Sequence, residues 1–376
     1  MAPLDSRQLL LASMSGQMMC LPDLWPYFCH WPTGVNPGLD RLRKDESDWL
    51  DANIPSPRLR AAFKKADFSL LGSASSPWAS YERLRISSLL IVWTFVVDDE
   101  LDMEDSSMVD DLEASNRYRH ELIELVRDRL GLSVPNAEDT AGTVYASRLA
   151  NDTGYSHIIE SFNEIGDAIR KEYNIEQRQR LFDNIKFYLD MTKEEQCSRL
   201  SGGVPSPEEY WTFRDGASAV EPCLSMIEYL AKSKGLPRQV FDDPDMKKLW
   251  TLTNINVSCV NDIFSVKKEL AGLSIANTIP IFYADASESR DPLGAATQRA
   301  VALIIDTIAG IDDLGDKLML RYGTEDPDDQ LTNDLQTMIN GCKAWCTGNL
   351  HWSYETRRYG KLGEKRNKDG SLFIQL

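Results

Sequence analysis

The chain is short of positive charge, has few histidines and carries no long apolar run, and each shortage removes a class of function. Its 376 residues hold 41 Lys and Arg against 58 Asp and Glu, a formal net charge of −17. A surface of that sign repels polyanions, which argues against binding nucleic acid or an anionic membrane through a general positive field. An anionic small molecule must be met locally, by a metal ion or by a few placed Lys and Arg. The four histidines (His30, His120, His157, His351) are scattered without metal spacing. The longest apolar stretch, Leu89 to Val97 with Thr94 inside it, is far too short to span a bilayer. No basic start leads into a clean apolar run at the N-terminus, so no signal peptide is read and a soluble, cytoplasmic protein is expected. The seven cysteines show no zinc spacing and read as free buried thiols. A Gly-rich phosphate loop, a nucleophile elbow and an H-E-x-x-H pair are all missing.

What is present is ample core material: 42% of residues are hydrophobic and 9% aromatic. Helical periodicity recurs over about 80–105, 108–131, 157–202 in two pieces, 296–321 and 330–350, and no alternating strand pattern persists. The expectation is an all-α fold, a single helical domain over 58–362. Residues 1–57, rich in Pro and Trp and with helical signal confined to about 36–52, read as a strap over the outside of the bundle. Residues 56–71 read as one Arg/Lys-rich amphipathic stretch, 131–156 as loop, and 363–376 as a mobile tail.

Four stretches carry chemistry. In NDIFSVKKE, Asn261, Ser265 and Glu269 stand at i, i+4 and i+8, which stacks an amide, a hydroxyl and a carboxylate on one helix face. Such a face can be plain solvated surface, but the flanks TLTNINVSCV and LAGLSIANTIPIFYA are apolar, and a wet column inside a buried helix suits a hard divalent cation. Lys268 stands beside the column. In LLIVWTFVVDDELDMED, an apolar helix runs into Asp98, Asp99, Glu100 and Asp102. Asp98 and Asp102, at i and i+4, repel one another unless a cation sits between them, or unless the helix end simply emerges into water. In YWTFRDGASAVEPCL, small residues and Pro222 predict a kink or break near 216–221, just after Arg214. Near the end, Arg358 and Tyr359 offer a guanidinium fork and a phenol to phosphate oxygens.

Taken in order, these motifs resemble the class I terpene cyclases of the microbial type, over about 80–360. The aspartate-rich motif corresponds to 98–102, the metal triad to Asn261, Ser265 and Glu269, the diphosphate sensor to Arg214, and the terminal pair to Arg358 and Tyr359. Trp352, in a WSxxTxRY context, matches an aromatic that lines the pocket. Two departures stand out: Asp215 follows Arg214 where a second Arg is common, and Ala219 holds a place often taken by Gly. The resemblance implies a helical bundle with a deep apolar pocket, closed by three Mg²⁺ ions and the diphosphate of an allylic isoprenoid. Asp98 and Asp102 are expected to hold part of the metal, and Arg214, Lys268, Arg358 and Tyr359 to grip the diphosphate. Phe95, one turn before Asp98, and Trp352 are the candidates to face cationic carbons. A C15 substrate, farnesyl diphosphate, is favoured over C20, acted on by a monomer or homodimer. A prenyl chain-elongating transferase and a non-catalytic helical scaffold remain open; the first would want a second aspartate-rich motif, which the DxxS pattern at 262–265 does not supply.

Overall fold

Start signals for helices are frequent in this chain, and the computed structural model, which describes residues 5–54, 56–102, 108–132 and 156–376, uses them. Asp5 with Gln8, Asn174 with Gln177 and Ser206 with Glu209 form capping boxes, each satisfying two otherwise orphaned backbone donors. In chain order the elements are α1 (Ser6–Met14), β1 (Met18–Leu21), α2 (Trp25–Phe28), α3 (Leu39–Asn53), α4 (Pro57–Ala66), α5 (Phe68–Ser75), α6 (Tyr81–Asp102) and α7 (Leu112–Arg129). There follow α8 (Ser156–Glu172), α9 (Ile175–Leu200), α10 (Pro207–Ala217), α11 (Val220–Leu224), α12 (Ile227–Ala231) and α13 (Arg238–Phe241). The chain closes with α14 (Pro244–Ala271), α15 (Thr278–Asp285), α16 (Pro292–Tyr322), α17 (Gln330–Glu355), a 3₁₀ turn (Leu362–Lys365) and β2 (Leu372–Gln375). The fold is all-α, and among the described residues no helix is long and apolar enough to cross a membrane.

The long helices bury whole faces against one another. α14 packs on α16 and α17, α5 on α17, and α9 on both α7 and α10. α14 is apolar on most sides along its middle, with Val257, Cys259, Val260, Ile263, Phe264 and Val266 all buried, as an interior helix must be. α6 likewise buries Leu90, Ile91, Trp93, Val96 and Val97. Where α10 gives way to α11, the predicted break occurs at Ser218–Ala219, and Ala219 takes the left-handed conformation (φ 57°) that a Gly adopts without strain.

Three expectations are corrected. The N-terminal strap is helical before residue 36, because the Asp5–Gln8 box starts α1, which buries Leu10 and Met14. The Arg/Lys-rich stretch predicted over 56–71 is interrupted at Asp67, whose left-handed backbone (φ 55°) ends α4 and begins α5. The C-terminal residues are not a mobile tail. Leu372–Gln375 pairs antiparallel with Met18–Leu21, Leu372 and Ile374 are buried, and the ribbon is extended by bonds between Gly16, Gln17 and Leu376. Alternation of buried and exposed residues in both short strands is the cause, a pattern too brief to read without its partner. The loop expected over 131–156 falls, beyond Leu132, outside the described residues, as does the side chain of Asp102.

Candidate active site

A cavity of about 500 Å³ opens among α6, α9, α10, α14 and α17. That size is typical of a site for a small organic ligand. Its wall deep in the bundle is apolar, with Leu71, Ile91, Phe95, Phe213, Val257 and Trp345 among the lining residues. Its polar lining includes Asp98, Arg214, Asn261, Lys268, Glu269, Arg358 and Tyr359, all from the motifs.

α6 delivers Asp98 and Asp99, both half-buried and both lining the cavity. α14 delivers Asn261, Lys268 and Glu269 to the same cavity. Asp98 and Glu269 therefore share one enclosure, the juxtaposition on which the functional reading depends. Asp99, which spacing does not rank against Asp102, also faces the site and stands 3.9 Å from the Arg358 guanidinium. Glu100 points elsewhere: it is buried, accepts a hydrogen bond from the Tyr118 hydroxyl, and burial pushes its carboxyl up to about 8.

The column on α14 is held by its neighbours. The Asn261 amide donates to the Tyr359 hydroxyl at 2.9 Å, and its Oδ1 accepts from Arg214 at 3.4 Å. Ser265 is buried one layer behind the cavity wall, where its hydroxyl accepts from Asn277 Nδ2 at 3.3 Å. Glu269 accepts from the same Nδ2 at 2.7 Å. Burial raises the pKa of the Glu269 carboxyl, with Asp262 adding to the rise and Lys268 opposing it. Lys268 stays open to water in the cavity mouth, yet the protein around it and then Arg358 push its ammonium pKa down. Burial, which disfavours either charge, leads in both shifts, and the two neighbours offset it only in part.

The guanidinium of Arg214 is anchored on Asp262 at 2.6 Å. Asp262 is completely buried and also accepts from the Tyr210 hydroxyl, from Thr278 N at 2.9 Å and from Thr278 Oγ1 at 2.6 Å. Burial works against the charge of Arg214, but Asp262 together with Tyr210, Glu195 and Glu269 outweighs it, and its pKa stands well above the ordinary value. Ala219, at the helix break, lines the cavity as expected. The break is tied to α14 by Ser218 Oγ, which donates to Asn254 Oδ1 at 2.7 Å.

The aromatic side is equally constrained. Trp352 is buried, its Nε1 donates to the Ala66 carbonyl at 2.7 Å, and its ring meets Tyr359 edge-on at 5.3 Å. Phe95 stacks on Phe68 at 4.2 Å and lies under the Arg358 guanidinium at 5.5 Å. Burial pushes the Tyr359 phenol up to about 12, so at neutral pH it is a donor.

Residues that the motifs do not announce also line the cavity: Arg7 from α1, Arg58 from α4, and Glu195 and Arg199 from α9. Arg7 donates to the carbonyl of Leu273, itself in a left-handed conformation (φ 57°) just past α14. The Asp262 hub was likewise unread. It sits inside NDIFSVKKE, but nothing in the spacing tells a buried anchor from a cavity ligand.

A metal ion suits the donor set. Among the described residues no three His, Cys, Asp or Glu side chains cluster as a site. The acids are instead divided, Asp98 and Asp99 on one helix and Glu269 on the other, with Asn261 supplying an amide oxygen to the cavity from the same helix as Glu269. Oxygen donors on two elements around a cavity leave room for an ion that also binds water and a ligand oxygen.

A helical bundle enclosing an apolar cavity with divided acids and several cations at its polar end is the architecture of a class I terpene synthase. Residues 89–309, more than half of the chain, match the model of "Terpene synthase family 2, C-terminal metal binding", and the chain belongs to that family. It is 29% identical over 372 residues to the sesquiterpene cyclase hepA of Aspergillus oryzae, covering 99% of this chain and 97% of that one. It is 23% identical to the germacrene A synthase of Nostoc punctiforme, covering 92% and 97%. The crystal structure of germacradien-4-ol synthase from Streptomyces citricolor superposes with a TM-score of 0.68 at 21% identity, covering 87% of this chain and 97% of that chain. Linalool/nerolidol synthase from Streptomyces clavuligerus, in complex with 2-fluorogeranyl diphosphate, gives 0.67 at 19% identity, covering 87% and 98%.

Proposed function

We propose that the protein ionises farnesyl diphosphate in a Mg²⁺-dependent reaction and cyclises the resulting carbocation to a sesquiterpene hydrocarbon or alcohol. The observation that carries this is the shared cavity of Asp98 and Glu269, ringed by Arg214, Lys268, Arg358 and Tyr359 and apolar within. The C15 chain length is supported by the names of relatives such as the Aspergillus oryzae cyclase.

Asp98 and Asp102 on α6, with Asn261, Ser265 and Glu269 on α14, would hold three Mg²⁺ ions, which supply positive charge to the departing diphosphate. The chain's own part in ionisation is to present Arg214, Lys268, Arg358 and Tyr359 as donors fixed in advance. Arg214 is fixed by Asp262 and Arg358 by Phe95 and Asp99, so little reorganisation is needed as charge develops on the leaving oxygens. Once the allylic C–O bond breaks, the wall must exclude water, and the buried Trp352 and packed Phe95 do so. Their ring faces stabilise positive carbon by about 2 kcal/mol each when desolvated. The diphosphate or a trapped water takes the final proton.

The test is pyrophosphate release from C10, C15 and C20 allylic diphosphates with and without Mg²⁺, with products identified by mass spectrometry. Metal-dependent release with a cyclic C15 product is the expected outcome. Turnover of the C20 substrate alone would make it a diterpene synthase, and condensation with isopentenyl diphosphate would make it a chain-elongating enzyme.

A further inference from the structure

The segment after α14 makes a tight return, through left-handed Leu273, and re-enters helix at Thr278. The residue at that re-entry, Asn277, is completely buried and uses both ends of its side chain. Its Oδ1 accepts from Ile279 N at 2.9 Å and caps α15, an ordinary duty for Asn. Its Nδ2 points back at α14, where three oxygens lie within reach: the Asp262 carbonyl at 2.8 Å, Ser265 Oγ at 3.3 Å and Glu269 Oε2 at 2.7 Å. These belong to positions i, i+3 and i+7, one stripe of the helix, so a single amide runs along the column of oxygens from behind.

We propose that Asn277 is a positioning residue that sets the orientation of Ser265 and Glu269 for the metal ion, while its other end caps α15. This rests on the reading that the two side chains bind Mg²⁺. A flexible glutamate at a cavity edge has many rotamers, and one charge-assisted bond from a buried amide selects among them. Ser265, lying behind the cavity wall, donates its hydroxyl to the Asp262 carbonyl at 3.4 Å and accepts from the same Asn277 amide. Thr278, the next residue, clamps the Asp262 carboxylate that anchors Arg214, so the two residues that begin α15 support both the metal column and the guanidinium opposite the diphosphate.

Asn277→Ser separates the two duties. Serine is as good a helix cap as asparagine, but its hydroxyl is a bond shorter and leaves Glu269 without the donor. Asn277→Asp keeps both shape and cap and turns a carboxylate toward Glu269. The readout is the melting temperature of the purified protein with and without inorganic pyrophosphate as Mg²⁺ is titrated, alongside turnover at each concentration. Outer-layer partners of metal ligands typically change affinity about 10- to 100-fold. For Asn277→Ser the expected result is a metal-free melting temperature near that of the native chain, a Mg²⁺ midpoint raised by that factor, and turnover that partly returns at high Mg²⁺; for Asn277→Asp, whose buried carboxylate faces Glu269, it is a lowered metal-free melting temperature and a shifted midpoint. An unchanged midpoint in either folded variant would reduce Asn277 to a helix cap and overturn the proposal alone. A native chain whose melting ignores Mg²⁺ and pyrophosphate would overturn the metal reading as well.

Discussion

The carboxylate of Asp262 receives the guanidinium of Arg214 at 2.6 Å across the interface of α14 and α10, and neither side chain has much access to solvent. A buried charge whose partner is removed keeps its desolvation penalty and loses its compensation. Asp262→Ala is therefore expected to cost about 3–5 kcal/mol of folding stability. Urea denaturation measures it, and a loss below about 1 kcal/mol would show that the pair is not an anchor.

Glu269 is where the metal reading is most exposed to test. Glu269→Gln preserves shape and hydrogen bonding but removes the charge, and Asn261→Ala removes the amide that Tyr359 and Arg214 hold. Both are expected to leave the circular dichroism spectrum native and to lower Mg²⁺-dependent pyrophosphate release by about 100-fold or more. Chelating the metal from the native chain should do the same. Full activity in either variant would take that residue out of the site.

Phe95 serves the cavity wall, stacked on Phe68 and beneath Arg358. Its truncation opens space where the hydrocarbon folds and removes one of the two supports of Arg358, but leaves the acids, Arg214 and the Asp99 partner of Arg358 in place. Phe95→Ala should change the product mixture, seen by gas chromatography with mass spectrometry, more than the rate of pyrophosphate release. An identical mixture would make Phe95 ordinary core.

A pH dependence follows from Glu46, which is not part of the cavity lining. It is buried, accepts from Ser69 Oγ at 2.6 Å, and burial pushes its carboxyl from 4.5 up to about 7. Between those pH values the folded chain keeps a proton that the unfolded chain has released. The stabilisation is complete below the lower value and is lost as pH rises through about 7, by roughly 3 kcal/mol at most. Glu46→Gln, compared with the native chain by denaturation at pH 5 and pH 8, should flatten this slope. Parallel slopes would remove Glu46 as its source.

The helical class and the break after Arg214 were legible because each has a local signature, periodicity in the one case and small residues with Pro222 in the other, whereas a shared cavity for Asp98 and Glu269 was expected only from the resemblance of the ordered motifs. Asp262 and Asn277 were not. Asp262 has the same chemistry and helix as its neighbours, and only the packing of Tyr210, Arg214 and Thr278 makes it an anchor. Asn277 carries a cap signature, Asn before an apolar helix, but its reach back across a turn is a tertiary fact. Ser265, spaced as a cavity ligand, is buried beside the cavity rather than in its lining, a matter of packing that spacing does not carry. Asp99 and Asp102 could not be ranked by spacing, since a helix end offers both.

The ribbon of Met18–Leu21 with Leu372–Gln375 fastens together segments more than 350 residues apart in the chain. Entropy charges little extra for so long a closure, since the cost grows only with the logarithm of length, but contacts of that separation form late. α1, whose Arg7 reaches across to Leu273 at the cavity edge, adjoins this latch. Amide hydrogen exchange should find the latch releasing before the bundle loosens, a slow door on an otherwise finished room.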